Sequence, residues 1–221
     1  MPPTYDEWPP RAGLSSHIVP RNSVILSISS STTIDAPAEL IFQVLCNSTD
    51  YPSWNTFCPS ITIHTQPPSI PEAEQNLIHK DTLMTFGVIM DPSKPNNKTD
   101  TQLRVTDIST PATPSSYLSE DNLEQDGSFE PDLSKVWRIA WTTCGSFVAR
   151  GLRTERFSEV IELEGGERCL YRTWECQGGV LARTVKWLYE KKLGERFDDW
   201  CRDLKKECEK RAQAETGSRE N

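Results

Sequence analysis

The sequence contains no CxxC pair and no dense grouping of cysteine with histidine. Its three histidines, His17, His64 and His79, stand far apart, so the compact ligand set of a zinc site is missing and no metal is expected. The cysteines number seven and are scattered: Cys46, Cys58, Cys144, Cys169, Cys176, Cys201 and Cys208. An odd, unpatterned set reads as reduced thiols of the cytosol. No run approaches the roughly 18 apolar residues of a membrane helix, so stable membrane insertion is not expected. Positive charge is also short. Lys and Arg total 24 against 32 Asp and Glu, a net charge of -8 that disfavours nucleic acid as a partner. Gly165-Gly166 and Gly178-Gly179 are punctuation rather than a phosphate loop, and no G-x-S-x-G elbow occurs. No cofactor is therefore expected. The opening "MPPTYDEWPPRAG" lacks a basic region followed by an apolar stretch, so it does not read as a signal peptide. A cytoplasmic location follows as the expectation. "NST" and "NKT" match the glycosylation pattern but carry little weight without a secretory route.

What is present suits one large domain with a proper core. Residues 1–21 are Pro-rich and read as a flexible leader, and 22–213 as the domain. "SVILSISSSTTID", from Ser23, is rich in β-branched residues and reads as a strand. In "APAELIFQVLCN", Leu40, Ile41, Val44 and Leu45 recur at helical spacing, with Asp35 as the expected N-cap and Pro37 in the first turn. A broken helical turn over 50–57 follows. Further strands are expected over 60–66, 78–91, 99–109, 135–143, 153–165 and 167–177. "EGGE" at 164–167 reads as the hairpin between the last two. Residues 110–134, mostly Pro, Ser, Asp and Glu, read as a mobile insertion that buries too little to offset its ordering. After Gly179 the period turns helical: Leu181, Val185, Leu188, Leu193, Phe197, Trp200 and Leu204 form one stripe opposite a charged face. Residues 214–221 read as a disordered tail.

Strands joined in succession by short turns imply a curved antiparallel sheet of six or seven strands. A single helix of about 45 Å, at about 1.5 Å per residue, must lie across it. Curvature then leaves space between helix and sheet. "TTIDAPAELIFQVLCNSTDYPSWNTFCPSI" and the later "RTWECQGGVLA" resemble the START-like SRPBCC superfamily, the helix-grip group that includes polyketide cyclases and lipid-transfer domains. The resemblance covers about residues 23–210 and departs from the pattern in the leader and the acidic insertion. It implies an α+β helix-grip fold with two short helices after the first strand. It leaves activity open, since this fold hosts many functions.

Alternation along the strands selects candidate cavity residues. Trp137 and Trp141 share a face with Ile139, while Met84, Phe86 and Val88 share another. Phe157 opposes Arg156, and in "ERCLYRTWEC" alternation does not choose between the Trp174 set and the Tyr171–Glu175 set. "DYPSWNTF" supplies Tyr51, Trp54 and Phe57, and the long helix supplies Val185 and Leu188. These rings either plug an ordinary core or line a pocket for a hydrophobic small molecule; the resemblance favours the pocket. For catalysis the candidates are Glu175, Arg156 and Tyr171. A desolvated Glu175 can move a proton, or simply pair with Arg153, Arg156 or Arg183. Arg156 can hold a carbonyl or carboxylate, and Tyr171 or Tyr51 can donate to an enolate or to a backbone carbonyl. The expected function is binding of a hydrophobic, aromatic or polyketide-like molecule or lipid. The alternative is a cyclase- or dehydratase-like enzyme without metal or nucleotide cofactor. A weaker third reading makes the acidic insertion a contact surface for protein partners.

Overall fold

The computed structural model describes residues 7–145, 150–163 and 165–219. Seven strands form one antiparallel sheet: β1 (Leu26–Ile34), β2 (Ser60–Thr65), β3 (Leu83–Val88), β4 (Thr99–Ser109), β5 (Val136–Thr143), β6 (Arg153–Glu162) and β7 (Cys169–Gly178). Their order is β1-β7-β6-β5-β4-β3-β2, so the first strand closes beside the last. Two short helices, α1 (Ala38–Cys46) and α2 (Tyr51–Trp54), follow β1, and α3 (Glu120–Gln125) lies between β4 and β5. The long helix α4 spans Ala182–Arg219. This is the expected α+β helix-grip fold. The helix α1 is capped at Pro37 rather than Asp35, with no side-chain cap. At the turn into α4, Gly179 has φ +92° and a Cβ there would meet the Gly151 carbonyl oxygen at 2.6 Å, so both conformation and space demand glycine. Glu164 of the expected "EGGE" hairpin, residues 1–6 of the leader and 220–221 of the tail lie outside the described residues. The rest of the expected tail continues α4 as helix to Arg219.

Across β5–β7 the sheet is covered on both faces. Its inner face, toward α4, carries Leu26 and Ile28, Tyr171, Val160, Ile139 and Trp141, Val105, and Met84 and Phe86. α1, α2 and the second half of α4 close over them with Ile41, Leu45, Trp54, Phe197, Trp200 and Leu204. The outer face of β5–β7 is covered by the segments read as leader and mobile insertion. Leu14 and Val19 from the first, and Leu118, Leu123 and Phe129 from the second, join Ala140, Phe157, Trp174 and Cys176 in a separate apolar cluster. The Trp174 ring stacks on Phe157 (5.0 Å) and meets Trp8 (5.2 Å) and Phe129 (5.7 Å) edge-on. Its Nε1 donates to the Ser15 carbonyl at 2.9 Å.

Glu155 and Glu159, buried under this cover, are both hydrogen-bonded, while Arg172 Nη2 has no partner. Glu159 accepts from Arg138 (2.5 Å) and Arg172 (2.6 Å), and Glu155 accepts from Thr106 (2.9 Å), Tyr117 (2.7 Å) and the Ile18 amide (2.8 Å). The two covering segments are tied together at Asp126, which pairs with Arg21 and accepts from Ser15. Burial pushes the Asp126 pKa up, but hydrogen bonds from Ser15 and Ser128 and the charge of Arg21 outweigh it and leave it lowered.

Candidate functional site

The inner face is filled at its centre, where an open hollow was expected. Trp200 of α4 stands among Tyr51, Trp54, Phe57, Phe86 and Trp141, with ring centroids 5.6 to 6.5 Å away. Phe197 adds a seventh ring 6.4 Å from Phe57. Tyr51 donates its hydroxyl to the Leu45 carbonyl at 2.8 Å, so at that residue the structural role holds.

The two halves of α4 differ. Val185, Tyr189, Arg196 and Trp200 fall on one side of the helix by their spacing. Arg196 and Trp200 are buried, yet Tyr189 keeps 42% of its surface exposed. The helix is therefore fully seated on the sheet from Arg196 onward and more exposed before it, where Val185 and Leu193 pack only at the edge of the core. Its course beside β1 locates the opening. Lys186 reaches the Ile25 carbonyl (3.4 Å), Asp198 accepts from Ser30 (2.7 Å) and Lys205 reaches the Thr33 carbonyl (2.6 Å). Leu26 lies opposite Gln177, Ile28 opposite Glu175 and Ser30 opposite Thr173. Glu175 and Gln177 thus sit beneath the open half.

A polar ladder crosses β6 and β7 at this point. Arg156 and Glu175 face each other in register, with Trp141 beside Arg156 on β5. Arg156 Nε donates to Thr173 Oγ1 (3.1 Å), which donates to the Phe157 carbonyl (2.8 Å), and Ser158 Oγ lies 3.0 Å from the Tyr171 hydroxyl. The guanidinium lies over Phe197 (4.1 Å) and Trp200 (4.2 Å). Arg156 is only 4% exposed, and its Nη2 has no hydrogen-bond partner. Gln177 Oε1, Asn55 Nδ2, Trp54 Nε1 and Trp200 Nε1 are likewise buried and unpartnered. Trp8 Nε1 and Arg172 Nη2 on the outer side are unpartnered as well, so the missing partners are not confined to this face.

Glu175 accepts from Gln177 at 2.6 Å and does not join Arg153, Arg156 or Arg183 in an ion pair. Desolvation by burial raises its pKa, against the opposing effects of Gln177 and Arg156. Burial also pushes the Tyr171 hydroxyl up to about 12. The inner thiols are held protonated: Cys201 is pushed up to about 11, and Cys46 and Cys58 to about 12.

The sequence-derived candidates divide as follows. Glu175, Arg156 and Tyr171 come together on the inner face of β6–β7. Tyr51, Trp54, Phe57, Met84, Phe86 and Trp141 line the filled centre, and Val88, Trp137 and Val185 pack at its edge. Phe157 and Trp174 do not belong to this group: both lie on the outer face beneath the leader. Leu188 is also misplaced, turning outward with 48% of its surface exposed. Phe197, Trp200, Thr173, Ser158 and Gln177 were not anticipated as site residues. The helix stripe did contain Phe197 and Trp200; the three polar groups carried no signal, because short polar side chains on a strand usually face water.

No family model matches the chain. The oxopyrrolidines biosynthesis cluster protein O of Penicillium oxalicum is 33% identical over 189 residues, spanning 80% of this chain and 84% of that protein. Among solved structures, the Zhui aromatase/cyclase from Streptomyces sp. R1128 shares the fold at a TM-score of 0.55 and 10% identity, over 84% of this chain and 94% of that one. A START superfamily protein from Mycobacterium smegmatis matches at a TM-score of 0.53 and 13% identity, over 83% and 97%.

Proposed function

We propose a function from the premise that this chain belongs to the START-like (SRPBCC) superfamily and, within it, to the family of the oxopyrrolidines biosynthesis cluster protein O: it binds a hydrophobic small molecule of a biosynthetic route. The ligand enters beneath the open half of α4, lies against Trp141, Phe197 and Trp200, and presents an oxygen acceptor to Arg156. The observation that carries this reading is the buried Arg156 Nη2, which has no hydrogen-bond partner although Nε is held by Thr173. A buried cation without an ion-paired carboxylate is costly, and an occupant with a carbonyl, enolate or carboxylate oxygen removes that cost. The related cluster protein supports a small biosynthetic intermediate as the ligand class, and the buried thiols agree with a reducing, cytoplasmic setting. Among the described residues no helix is long and apolar enough to cross a membrane.

A second reading, a cyclase- or dehydratase-like enzyme, draws on the raised pKa of Glu175 beside Arg156. Burial favours the protonated form of Glu175, which can donate that proton to a carbonyl that Arg156 polarises, with the Tyr171–Ser158 pair available as a further donor. The test begins with mass spectrometry of whatever the purified protein releases on denaturation. Tryptophan fluorescence is then followed as that compound is added back to the wild type and to Arg156→Met. A released hydrophobic compound whose readdition quenches the wild type and not the variant supports binding. A protein that releases nothing, and whose fluorescence ignores a panel of aromatic and lipid acids, overturns it. Turnover that Glu175→Gln abolishes while binding persists selects the enzymatic reading.

A further inference from the structure

A second cavity lies on the outer side of the sheet, between the leader, the insertion and β7. Its volume is about 200 Å³. Leu123, Phe129 and Leu170 give it apolar wall, and Trp8 gives it a ring. Arg172 of β7 and Glu130 of the insertion line it as well. Arg172 is 8% exposed at its side chain. Its Nε is taken by Glu159, a carboxylate it shares with Arg138, and its Nη2 has no partner. The guanidinium lies 4.5 Å over the Trp8 ring, whose Nε1 is also buried and unpartnered. Glu130 is 3% exposed. One of its oxygens accepts from the Asp132 amide (3.1 Å), and among the described residues it enters no ion pair. Two donors and a carboxylate thus wall one cavity without meeting, and each is costly to hold out of water incompletely paired.

We propose that this outer cavity binds a free α-amino acid with an apolar side chain. The carboxylate accepts from Arg172 Nη2 and Trp8 Nε1, the ammonium donates to Glu130, and the side chain lies against Leu123, Phe129 and Leu170. Charge selects this class over simpler ones. A plain carboxylate answers Arg172 but meets Glu130, with Glu7 and Glu124 exposed at the rim. A plain amine answers Glu130 and leaves both donors bare. A zwitterion satisfies both ends at once. The volume lies below the roughly 300–1,000 Å³ of sites for drug-sized ligands, which suits so small a compound. The cavity shares no residue with the interior site, so the proposal stands apart from the function proposed for that site.

Titration followed by NMR tests it. L-Phenylalanine and L-leucine are added to the full chain while the indole N–H signal of Trp8 is observed, identified by its loss in Trp8→Phe. A saturable shift is the expected result. Phenylpropanoate lacks the ammonium and phenylethylamine lacks the carboxylate. Each is expected to bind at least about tenfold more weakly than phenylalanine, the worth of one hydrogen bond to a charged group. Glu130→Gln keeps an acceptor for the Asp132 amide, so it is expected to weaken phenylalanine by about tenfold and to spare phenylpropanoate. A Glu130 that serves only the fold would weaken both alike, and that result overturns the proposal. A Trp8 signal that ignores both amino acids leaves the cavity to water and also overturns it. So does phenylpropanoate binding as tightly as phenylalanine. Arg156→Met is expected to bind phenylalanine like the wild type; loss of the shift there assigns the binding to the interior and overturns the proposal. The comparison of analogues on the unaltered protein decides the question if Glu130→Gln fails to fold.

Discussion

Replacing Arg156 with methionine separates a cation held for a ligand from one held for the fold. The guanidinium gains about 1 to 2 kcal/mol from each of the two rings it lies over at 4.1 and 4.2 Å. The hydrogen bond to Thr173, at 3.1 Å, adds about 1.5 kcal/mol. Against these stands a desolvation penalty of several kcal/mol, offset only in part by the charge of Glu175, with which Arg156 makes no ion pair. The two sides nearly cancel. Methionine restores much of the volume and carries no charge, and Thr173 keeps its own bond to the Phe157 carbonyl. Exchanges of buried ionic groups for apolar ones are commonly neutral or stabilising by about 1 to 4 kcal/mol. The expected outcome is thus unchanged or higher stability in urea unfolding, with each kcal/mol raising the melting temperature by about 2 to 4 °C. Affinity for the released compound is expected to fall at least about 30-fold, the loss typical of removing one side of a buried charged contact. A variant that loses more than about 2 kcal/mol of stability would show that Arg156 is structural, and the reasoning fails.

Glu175 has a raised pKa, so its carboxylate opposes folding as it ionises. Stability is fully present below the unfolded value and declines as pH rises through the folded one, so Glu175→Gln is expected to flatten that decline in urea melts as pH is raised above the ordinary carboxylate range. Asp126 behaves in the opposite sense. Its lowered pKa contributes stability above the unfolded value that is lost as pH falls, so Asp126→Ala is expected to cost about 1 to 2 kcal/mol at neutral pH and less in acid. Trp174→Ala empties the outer core and is expected to cost about 3 to 5 kcal/mol by chemical denaturation, leaving affinity for the interior ligand unchanged; weakened binding in a folded variant contradicts the assignment of Trp174 to the outer face. Iodoacetamide labelling read by peptide mass spectrometry is expected to mark Cys144 first, since six of the seven thiols are buried and it is not.

The architecture was legible because its signals are long. Alternation marks β3 and β5, and a helical stripe running from Leu181 to Leu204 admits no other reading. Sidedness failed in β6 and β7 for a physical reason. Alternation identifies the inner face only when the other face meets water. Here nine of the ten residues of β6 are buried or partly buried in an unbroken run, and the outer positions hold Arg138, Glu159 and Arg172, which look like solvent-facing charges. Phe157 and Trp174 were drawn to the wrong side for this reason. Composition does not reveal the packing of the leader and the insertion: counting large apolar residues does not show that Leu14, Val19, Leu118 and Phe129 join one cluster with Trp174.

That convergence also sets a timetable for synthesis. The Ser15 carbonyl waits for an indole 159 residues later, and Leu26 waits for Gln177. At about 5 to 20 residues per second, the amino-terminal segment spends on the order of 8 to 30 s outside the ribosome before its partners exist. Throughout that interval Leu14, Val19 and the unpaired edge of β1 are bare, open to holdase chaperones and to a neighbouring nascent chain alike.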